Sequence, residues 1–476
     1  MSSYPPSTAR PATSTGPDSA PDSGPHTLPQ PVTPTTRPWA APFIIAACLA
    51  SGAVTALVLA LLVFAGAEES VITGSMLLAF AIGWALIAVL TGRLTSQPQQ
   101  WALLPAAIMG IAGAMLLAVR PANDGLTAWN WVWPPVALAL AARMFVQMRG
   151  ALVGKGRWLL TPVIAVLAIA AIGATGENIA LVHERAAYAA PGLMYDVGGH
   201  RLHLNCHGHG APTVVLFNGL GEVSASWARV QDRVARTARV CAYDRAGQGW
   251  SEDSESPQDG IAAARDLHTL LAAAGEHGPY VLVGHSSGGS YAMTYAVEYP
   301  RELAGLVLLD SSSPYQLTRI PGFAGEFAVM RRAMALVPTL ARLGVGRVRA
   351  ATSHLPAPAA DQVAALTRTA HAARAVRDEQ SVLLAVFAQA QALTTLHNRP
   401  LAVLTASENL DTTGWGEAQA RLADLSPNHV HRVVRSTHVG LLQDPHGSTE
   451  SVRAITGVLS AARTGSGLAT LSGQYG

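Results

Sequence analysis

A serine between glycines stands where a short apolar run gives way to a helical stretch. The residues Gly284-His285-Ser286-Ser287-Gly288 form a G-x-S-x-G pattern after Tyr280–Val283 and before Ser290–Tyr299. A tight turn from strand to helix strains the backbone of its central residue and leaves no space for side chains two positions away, which calls for glycine there. Chance and glycine-rich surface turns also produce this pattern, so its position is the stronger signal. The chemistry that such a turn would offer is nucleophilic attack by Ser286.

The elements that must position this serine are indicated by apolar runs that alternate with alanine-rich helical stretches from about Tyr195 onward. This alternation predicts a βα protein with a mostly parallel sheet. The first two strands are expected to form a hairpin around Gly198-Gly199. The eight expected strands are Leu193–Val197, Arg201–Cys206, Thr213–Phe217, Ala238–Tyr243, Tyr280–Val283, Gly305–Leu309, Leu401–Thr405 and His429–Val434.

Three further stretches, together with the serine turn, resemble signatures of the α/β-hydrolase superfamily. Phe217-Asn-Gly-Leu-Gly221 resembles the oxyanion loop, with Asn218 in place of the usual histidine. Tyr243-Asp-Arg-Ala-Gly-Gln-Gly-Trp-Ser251 resembles the D-R-x-G-x-G-x-S signature, and Ser436-Thr-His438 resembles the region of the catalytic histidine. The likeness covers about residues 190–463 and indicates the superfamily without indicating a substrate.

The resemblance implies a role for each of these residues. Ser286 is expected to be the nucleophile and His438 its general base, because a serine hydroxyl attacks poorly until a base takes its proton. The backbone N–H groups of Leu220 and Ser287 are expected to form the oxyanion hole. Asn218 either adds a donor or holds its loop, and we favour the second role. No metal or organic cofactor is implied.

The acid that orients the histidine has two candidates. Asp310 ends the sixth strand and is followed four residues later by Pro314, an arrangement that resembles some haloalkane dehalogenases. Many family members instead carry the acid after the seventh strand, where this sequence has Asn409 with Glu408 beside it. We predict Asp310, with Glu408 as the alternative. A turn or helix-capping role for Asp310 stays open.

Two groups of residues look functional for other reasons. Four histidines and a cysteine near the second strand have the chemistry of metal ligands, but no carboxylate completes a site, so we predict no metal there. They are His200, His203, Cys206, His207 and His209. Asp244 and Arg245 look catalytic, but the resemblance implies that they brace the loop after the fourth strand.

Almost ninety residues separate the sixth and seventh strands, far more than a crossover needs. Their composition is helical, and prolines divide them into short helices. The stretch 311–399 resembles the cap domain that roofs the active site and selects substrate in this superfamily. We therefore predict an α/β-hydrolase domain over 190–463 with a cap at 311–399, followed by a flexible tail over 464–476.

The overall composition indicates that part of the chain is in a membrane. The chain has 476 residues, of which 50% are hydrophobic and 13% charged, against a globular norm of about 25% charged. A net charge of +2 argues against a nucleic-acid binder with a strong basic field, and three cysteines exclude a disulfide-dense scaffold. Residues 1–38 are rich in Pro, Ser and Thr, so we predict a disordered tail.

The membrane region is expected at 39–178, with about five transmembrane helices, each needing about 20 apolar residues. The fourth of the five stretches is the weakest, because it is short and contains Pro134-Pro135. A cleaved signal peptide is an alternative for the first, but its apolar run is too long and a long polar tail precedes it. The stretches are Pro42–Gly66, Val71–Leu90, Trp101–Val119, Trp131–Val146 and Trp158–Thr175.

The loop charges predict the orientation of the membrane region, because basic residues favour the cytoplasmic side. With the N-terminus in the cytoplasm, Arg120 is the one outer basic residue, and the outer loops carry Glu68, Glu69 and Asp124. Five crossings then place the hydrolase domain outside the cytoplasm, and the loss of the weak fourth helix would invert this result. The residues placed inside are Arg10, Arg37, Arg93, Arg143, Arg149, Lys155 and Arg157.

Two cysteines bear on whether the hydrolase domain lies outside the cytoplasm. In the superfamily the second and fourth strands are antiparallel neighbours, which would bring Cys206 and Cys241 near disulfide distance. Outside the cytoplasm such a pair can oxidise. Two separate buried thiols are the alternative, and it is the one that we favour slightly, because free cysteine packs well in strands.

The sequence thus predicts a multi-pass cell-membrane protein with an extracytoplasmic serine hydrolase domain. Its substrate would be a carboxylic ester, small or lipid-like, with peptides and lactones as less favoured acyl substrates. The alternative is a non-catalytic membrane protein whose hydrolase-like domain binds a partner or ligand. The intact serine, histidine and glycine framework argues for the enzyme.

Overall fold

The computed structural model describes residues 40–152, 155–348 and 353–468. The predictions made for residues 1–38 and for residues 469–476 of the second tail therefore lie outside the described residues. The N-terminal part consists of five long helices. They are α1 (Ala40–Val58, continued by a π-helical turn at Leu59–Val63), α2 (Glu69–Leu94), α3 (Leu103–Val119), α4 (Asn123–Ala151) and α5 (Lys155–Ala187).

Four stretches of these helices are long and apolar enough to cross a membrane: Ala40–Val63, Glu69–Leu94, Gln100–Val119 and Gly156–Ala187. Helix α4 is less apolar, yet its 29 residues span about 43 Å at 1.5 Å per residue.

Contacts at both ends of α4 show how it runs through the bundle. Asn123 at its start accepts a hydrogen bond at 2.9 Å from Arg342, in the α/β part of the chain that follows the bundle. Ala151 at its end accepts one from Gln99, in the α2–α3 connection, at 3.4 Å. Helix α4 therefore runs the length of the bundle despite Pro134 and Pro135 inside it.

An eight-stranded sheet follows, with strand order β1-β2-β4-β3-β5-β6-β7-β8. Strand β2 pairs antiparallel with β1 and β4, and the remaining pairings are parallel. The predicted mostly parallel sheet is confirmed. The strands are β1 (Leu193–Asp196), β2 (Arg201–His207), β3 (Thr213–Phe217), β4 (Val240–Tyr243), β5 (Tyr280–His285), β6 (Leu303–Leu309), β7 (Leu401–Ala406) and β8 (His429–Val434).

The strand ends differ from the predicted ones by two residues or fewer. Strand β4 begins at Val240 instead of Ala238, because the Ala238 N–H still bonds to the carbonyl of Val234 in the preceding helical turn. Strand β6 begins two residues before Gly305, and β5 extends to His285.

The sheet is buried on both faces, as parallel strands require. Every residue of β3, β4 and β5 is buried. The helices of the α/β part outside the cap are α6 (Ala228–Val234), α7 (Gly260–Ala273) and α8 (Gly288–Glu298), then α14 (Trp415–Ala423), α15 (Gly440–Gln443) and α16 (Pro445–Thr464). One core packs the sheet against α7, α8 and a helix of the cap, and a second packs it against α6 and α16.

The long connection between β6 and β7 is a helical cap, as predicted. Its described residues form five helices. They are α9 (Gln316–Arg319), α10 (Phe323–Met334), α11 (Val337–Arg342), α12 (Ala357–Thr367) and α13 (Ala370–Ala390). Helix α13 packs on α7 and α8, so the cap lies over the end of the sheet where β5 meets α8.

Cys206 and Cys241 stand directly opposite each other in the β2–β4 pairing and form a disulfide. Our preference for two separate thiols is therefore wrong. The antiparallel register aligns the two side chains on one face of the sheet, which strand propensity alone cannot show.

Candidate active site

Ser286 occupies the turn between β5 and α8 with a backbone φ of 54°. This left-handed conformation is uncommon for a residue with a side chain and marks a strained position. A Cβ on Gly284 would lie 2.4 Å from Gly289 Cα, and one on Gly288 would lie 2.3 Å from the carbonyl oxygen of Phe217. Both glycines of the pattern are therefore required by close backbone contacts.

His438 and Asp310 form a close pair beside this turn. The Nδ1 atom of His438 lies 2.6 Å from Asp310 Oδ2, and the Asp310 side chain is fully buried while 28% of the His438 side chain is exposed. Asp310 directly follows β6 and also has a positive φ, 44°. The structure thus brings together two residues that lie 128 positions apart.

The Asp310 carboxylate has four hydrogen-bond partners. Besides His438, the donors are the indole of Trp415 at 2.8 Å, the amide of Asn409 at 2.5 Å and the backbone N–H of Ala406 at 3.2 Å. Burial alone would raise the pKa of Asp310, but the hydrogen bond and charge of His438, with the donors Trp415 and Asn409, hold that pKa below its ordinary value. Asp310 is therefore an ionised partner that can orient the imidazole.

The alternative acid, Glu408, contacts the backbone of His438 and not its ring. Its carboxylate accepts a hydrogen bond from the His438 backbone N–H at 2.7 Å. Asn409, at the position where many relatives of the superfamily would carry the acid, donates to Asp310 and lies 3.4 Å from His438 Nδ1. Of the two candidate acids, Asp310 is the one that contacts the imidazole of His438.

The Ser286 hydroxyl and His438 Nε2 lie in one site without a hydrogen bond joining them. Among the described residues, neither atom has a partner within hydrogen-bond distance. The rings of His285 and His438 have centroids 4.4 Å apart, so His438 lies against the residue that precedes Ser286. The hydrogen bond between a catalytic serine and its base often forms only when substrate binds, so its absence here is compatible with the expected roles of Ser286 and His438.

The two expected oxyanion donors belong to segments next to the serine: Ser287 follows it in the chain, and a Cβ on Gly219, the neighbour of Leu220, would lie 2.9 Å from the Ser286 Cβ. In the described part of the chain, the backbone N–H groups of Leu220 and Ser287 donate to no protein acceptor. Ser287 directly precedes the first residue of α8, where the helix dipole favours negative charge. Two unused N–H groups beside a strained serine fit the stabilisation of an oxyanion.

Asn218 holds the oxyanion loop, the role we favoured for it. Its amide donates to the Tyr243 carbonyl at 3.0 Å and accepts from the Trp227 indole at 2.9 Å. The neighbouring Asp244 accepts from the backbone and hydroxyl of Ser224 at 2.6 and 2.9 Å. These buried contacts brace the loops that follow β3 and β4.

A second buried pair, which the sequence did not indicate, lies behind the site. His285 Nδ1 is 2.7 Å from Glu222 Oε1, and His285 Nε2 lies 3.0 Å from the backbone carbonyl of His438. Burial opposes both charges, but Glu222 raises the pKa of His285 and His285 lowers the pKa of Glu222. The other Glu222 oxygen accepts from the Gly219 N–H at 2.6 Å, so the pair links the oxyanion loop to His438.

Glu379 of the cap was also missed, and it joins α13 to the serine turn. It accepts hydrogen bonds from the Ser287 hydroxyl at 3.1 Å, from Arg245 at 2.7 Å and from Gln248 at 2.9 Å. Arg245 also donates to the Asn218 carbonyl at 2.7 Å and lies over the ring of Tyr291. Arg245 thus braces the loop as expected, and in addition it fixes the cap.

Two of the four histidines near the second strand, and the cysteine, have partners elsewhere in the protein. His203 is buried and lies 2.9 Å from Asp244, with Ser224 and the Pro191 carbonyl also in contact. His200 lies 2.8 Å from Asp266. Cys206 is in the disulfide.

Comparison with known proteins agrees with this geometry. Residues 212–343 match the family profile described as alpha/beta hydrolase fold. The chain carries an α/β-hydrolase domain. This segment contains β3 to β6 of the hydrolase domain, the serine turn, Asp310 and the first cap helices.

The relatives and structural neighbours resemble only part of the chain. An uncharacterised protein of Schizosaccharomyces pombe is 32% identical over 194 residues, which cover 34% of this chain and 35% of that protein. The chain covers only 20% to 52% of the length of the first three curated relatives that it matches.

Two solved structures are similar to the hydrolase domain. The enol-lactonase from Burkholderia xenovorans LB400 is 18% identical with a TM-score of 0.43, over 56% of this chain and 100% of that one. A thermophilic esterase from Thermogutta terrifontis is 21% identical with a TM-score of 0.42, over 55% and 94%.

Proposed function

We propose that this protein is a membrane-anchored serine hydrolase that cleaves carboxylic esters through an acyl-serine intermediate. The observation that carries the proposal is the buried Asp310 held 2.6 Å from His438 Nδ1, beside a serine in a left-handed turn. Two unused backbone N–H groups complete the set of groups that acyl transfer requires.

The reaction follows from these positions. His438 Nε2 accepts the proton of the Ser286 hydroxyl while the oxygen attacks the ester carbonyl carbon. The N–H groups of Leu220 and Ser287 stabilise the resulting oxyanion, and His438 returns the proton to the leaving alkoxide. Water then attacks the acyl-serine with His438 as base, releasing the acid and restoring Ser286. Asp310 keeps the imidazole in the tautomer that accepts the proton and stabilises its charged form.

We also propose that the N-terminus is cytoplasmic and the hydrolase domain extracytoplasmic. Helix α4 runs the length of the bundle, which supports five crossings. The end of the bundle away from the hydrolase domain carries Arg93, Arg149 and Arg157, the side that basic residues favour. The Cys206–Cys241 disulfide fits an oxidising compartment.

The catalytic proposal is tested with Ser286→Ala. We expect hydrolysis of p-nitrophenyl esters to fall by roughly four to six orders of magnitude and fluorophosphonate labelling to disappear, because no acyl intermediate can form. Ser256→Ala, at an exposed serine, is the matched control and should label like wild type. Unchanged turnover in Ser286→Ala would leave the non-catalytic binding role as the better explanation.

The orientation is tested with reporters fused to the C-terminus of the full chain. A phosphatase that folds only outside the cytoplasm should be active there, and a fluorescent protein that matures only inside should be dark. The reverse pattern would place the C-terminus in the cytoplasm, through an even number of crossings or an outer N-terminus, and would refute the extracytoplasmic placement.

A further inference from the structure

One stretch of the cap, Ala335–Val348, packs between the helices of the membrane region. Ala335 is fully buried in a cluster with Ala60 of the α1 extension and Ile72 of α2. The Thr339 hydroxyl lies 2.8 Å from the Thr73 hydroxyl, one helical turn inside α2. We name Ala335–Val348 the inserted segment. It reaches past the first turn of α2, along the helix away from Glu69.

Its contact with α5 shows how deep the segment reaches. A Cβ on Gly173 would come within 2.3 Å of the Leu343 carbonyl oxygen, so the two backbones touch. Gly173 lies fourteen residues before the end of α5 at Ala187, about 21 Å along a helix with 1.5 Å rise per residue. The 33 residues of α5 extend about 50 Å, whereas a hydrocarbon core is about 30 Å thick. A layer of this thickness placed anywhere along α5 includes Gly173, so the contact with Leu343 lies in the part of the helix that crosses the membrane.

The charges of the inserted segment are paired with acids of the helices. Arg342 makes two hydrogen bonds to Glu69, at 2.6 and 3.1 Å. Arg347 contacts Glu177 and makes a further pair of hydrogen bonds to Glu184 at 2.6 and 2.9 Å. Charged side chains are tolerated at membrane depth when they are paired in this way.

Apolar side chains of the same region point away from the protein. The exposed fractions are 65% for Val329 in α10, 42% for Leu340 in α11 and 48% for Val345 in the turn that follows. The adjoining helices carry exposed apolar residues on the same end, including Leu62 and Ile179. The cap surface thus continues the apolar surface of the bundle, where a bilayer would cover both.

We propose that the inserted segment lies in the outer leaflet and that the site takes its ester from the bilayer, which makes the substrate an amphiphile with a long alkyl or acyl chain. The proposal rests on the hydrolase function and membrane placement proposed above. Helix α11 packs on α13, and α13 places Val376 against Gly221 and Glu379 against Ser287. The membrane-inserted part of the cap is therefore in direct contact with the helix that roofs the nucleophile.

Lipid contact is tested on the full chain reconstituted in phosphatidylcholine vesicles. In a Cys48→Ala background, Val345→Cys and Val433→Cys are each labelled with the fluorophore NBD. Val433 is the matched control, since it is 54% exposed on the edge strand β8. We expect blue-shifted emission and quenching by doxyl-labelled lipids at position 345 and neither effect at 433. Equal quenching at the two positions would overturn the insertion.

Delivery of the substrate from the bilayer is tested by the ratio of two hydrolysis rates, one on a long-chain ester and one on a short-chain ester. Wild type, Val345→Asp and Val433→Asp are compared on a long-chain ester dissolved in the vesicles and on p-nitrophenyl acetate in water. A carboxylate is disfavoured in lipid, so we expect Val345→Asp to lower the long-to-short ratio at least about tenfold and Val433→Asp to leave it unchanged. An unchanged ratio in Val345→Asp would overturn delivery from the bilayer. Failure of wild type on both esters would refute the hydrolase itself, and the NBD measurement would still decide the insertion.

Discussion

Two residues of this site, Ser286 and Asp310, have left-handed backbone angles and lie side by side. Ser286 and Asp310 end neighbouring parallel strands, and the Ser286 N–H bonds to the Leu309 carbonyl at 3.2 Å. Strain of about 1–3 kcal/mol per such residue persists only where the surrounding structure imposes it. Here Asp310, with its strained backbone, contacts His438 through its carboxylate.

The first prediction separates the two acids. Asp310→Asn should lower kcat by about two to four orders of magnitude, because the amide cannot hold the imidazole in the required tautomer. Glu408→Gln should change kcat less than about threefold, since Glu408 contacts only the His438 backbone. Steady-state hydrolysis of p-nitrophenyl butyrate measures both. A large loss in Glu408→Gln with a small one in Asp310→Asn would move the acid to the turn after β7.

The second prediction concerns the pH dependence of the Glu222–His285 pair. Because the pKa of His285 is raised, its contribution is full below about pH 6.5 and is lost as the pH rises through the raised value. Because the pKa of Glu222 is lowered, its contribution is full above about pH 4.3 and is lost as the pH falls. The pair therefore stabilises the fold most between those two values.

Glu222→Gln should accordingly lower the free energy of unfolding by about 1–3 kcal/mol near pH 5.5 and by less above pH 8. Thermal unfolding of the full chain in detergent at several pH values measures the difference. The exposed Glu255, changed to Gln, is the control and should be neutral throughout. A loss of stability that does not vary with pH would show that the pair is not ionised.

Sequence patterns predicted the site residues that stand in or next to a local motif. The structure shows why Glu222 and Glu379 were not predicted. Ser286 stands inside a turn motif, Asp310 follows the apolar strand β6, and His438 comes four residues after β8. Glu222 and Glu379 stand in no comparable pattern, because their roles come from partners such as His285 and Arg245 that lie far away in the chain. A buried acid in a loop or on a cap helix gives no signal until its partner is placed.

Among the elements, the turn from β5 to α8 depends most strictly on the space around it. Its first helical residue, Gly288, faces the carbonyl groups of Phe217 and Asn218. Any side chain there must push β3 and the loop that follows it away from Ser286. The turn thus controls both the strand packing and the position of the N–H groups that we propose as oxyanion donors.

The third prediction tests this element with Gly288→Ala. The new Cβ would lie 2.3 Å from the Phe217 oxygen, so we expect a loss of about 1–3 kcal/mol of stability together with a large loss of kcat. The control is Gly457→Ala in α16, where a Cβ meets nothing within 4 Å. That change should stabilise by about 0.5–1 kcal/mol with kcat unchanged. Full activity in Gly288→Ala would mean that the loop is not held as tightly as the contact implies.

The strands were easier to predict than the membrane helices, for a physical reason. A parallel strand buried on both faces must be a continuous apolar run, so its extent can be read from composition. Helix α4 must instead pair polar groups within a bundle: Asn130 donates to Asn178 of α5 at 2.6 Å. Such a helix has a weaker apolar signal, so the sequence predicted only its central part, Trp131–Val146, and missed the ends at Asn123 and Ala151.

At the scale of the whole molecule, the Cys206–Cys241 disulfide closes a loop of 35 residues across β2, β3 and β4. The fourth prediction is that mass spectrometry of non-reduced peptides finds this bond in protein isolated from membranes. Cys206→Ser should lower the free energy of unfolding by up to about 3–4 kcal/mol, the loop-entropy value for such a span. Cys48→Ala, at the free cysteine of α1, should leave the peptide pair intact. Two alkylatable thiols at 206 and 241 would contradict the structure.

The arrangement of the two halves could not be predicted from the sequence. Loop charges indicated an orientation, but they carry no information on whether the hydrolase domain hangs free or packs against the bundle. Arg342 and Glu69 are 273 residues apart and belong to segments with unrelated patterns. Their pairing follows from how the cap is folded, which only the tertiary structure shows.

The buried Arg342–Glu69 and Arg347–Glu177 pairs also bear on how the protein is made. Synthesis proceeds from the N-terminus, so the helices with Glu69 and Glu177 leave the ribosome long before either arginine exists. Until the cap emerges, these acids have no cationic partner from the inserted segment, and the helix bundle is an unfinished intermediate. Folding of the hydrolase domain then completes the assembly of the membrane region. A ribosome stalled after residue 300 should therefore leave a bundle that membrane quality-control proteases recognise, whereas release of the full chain should protect it.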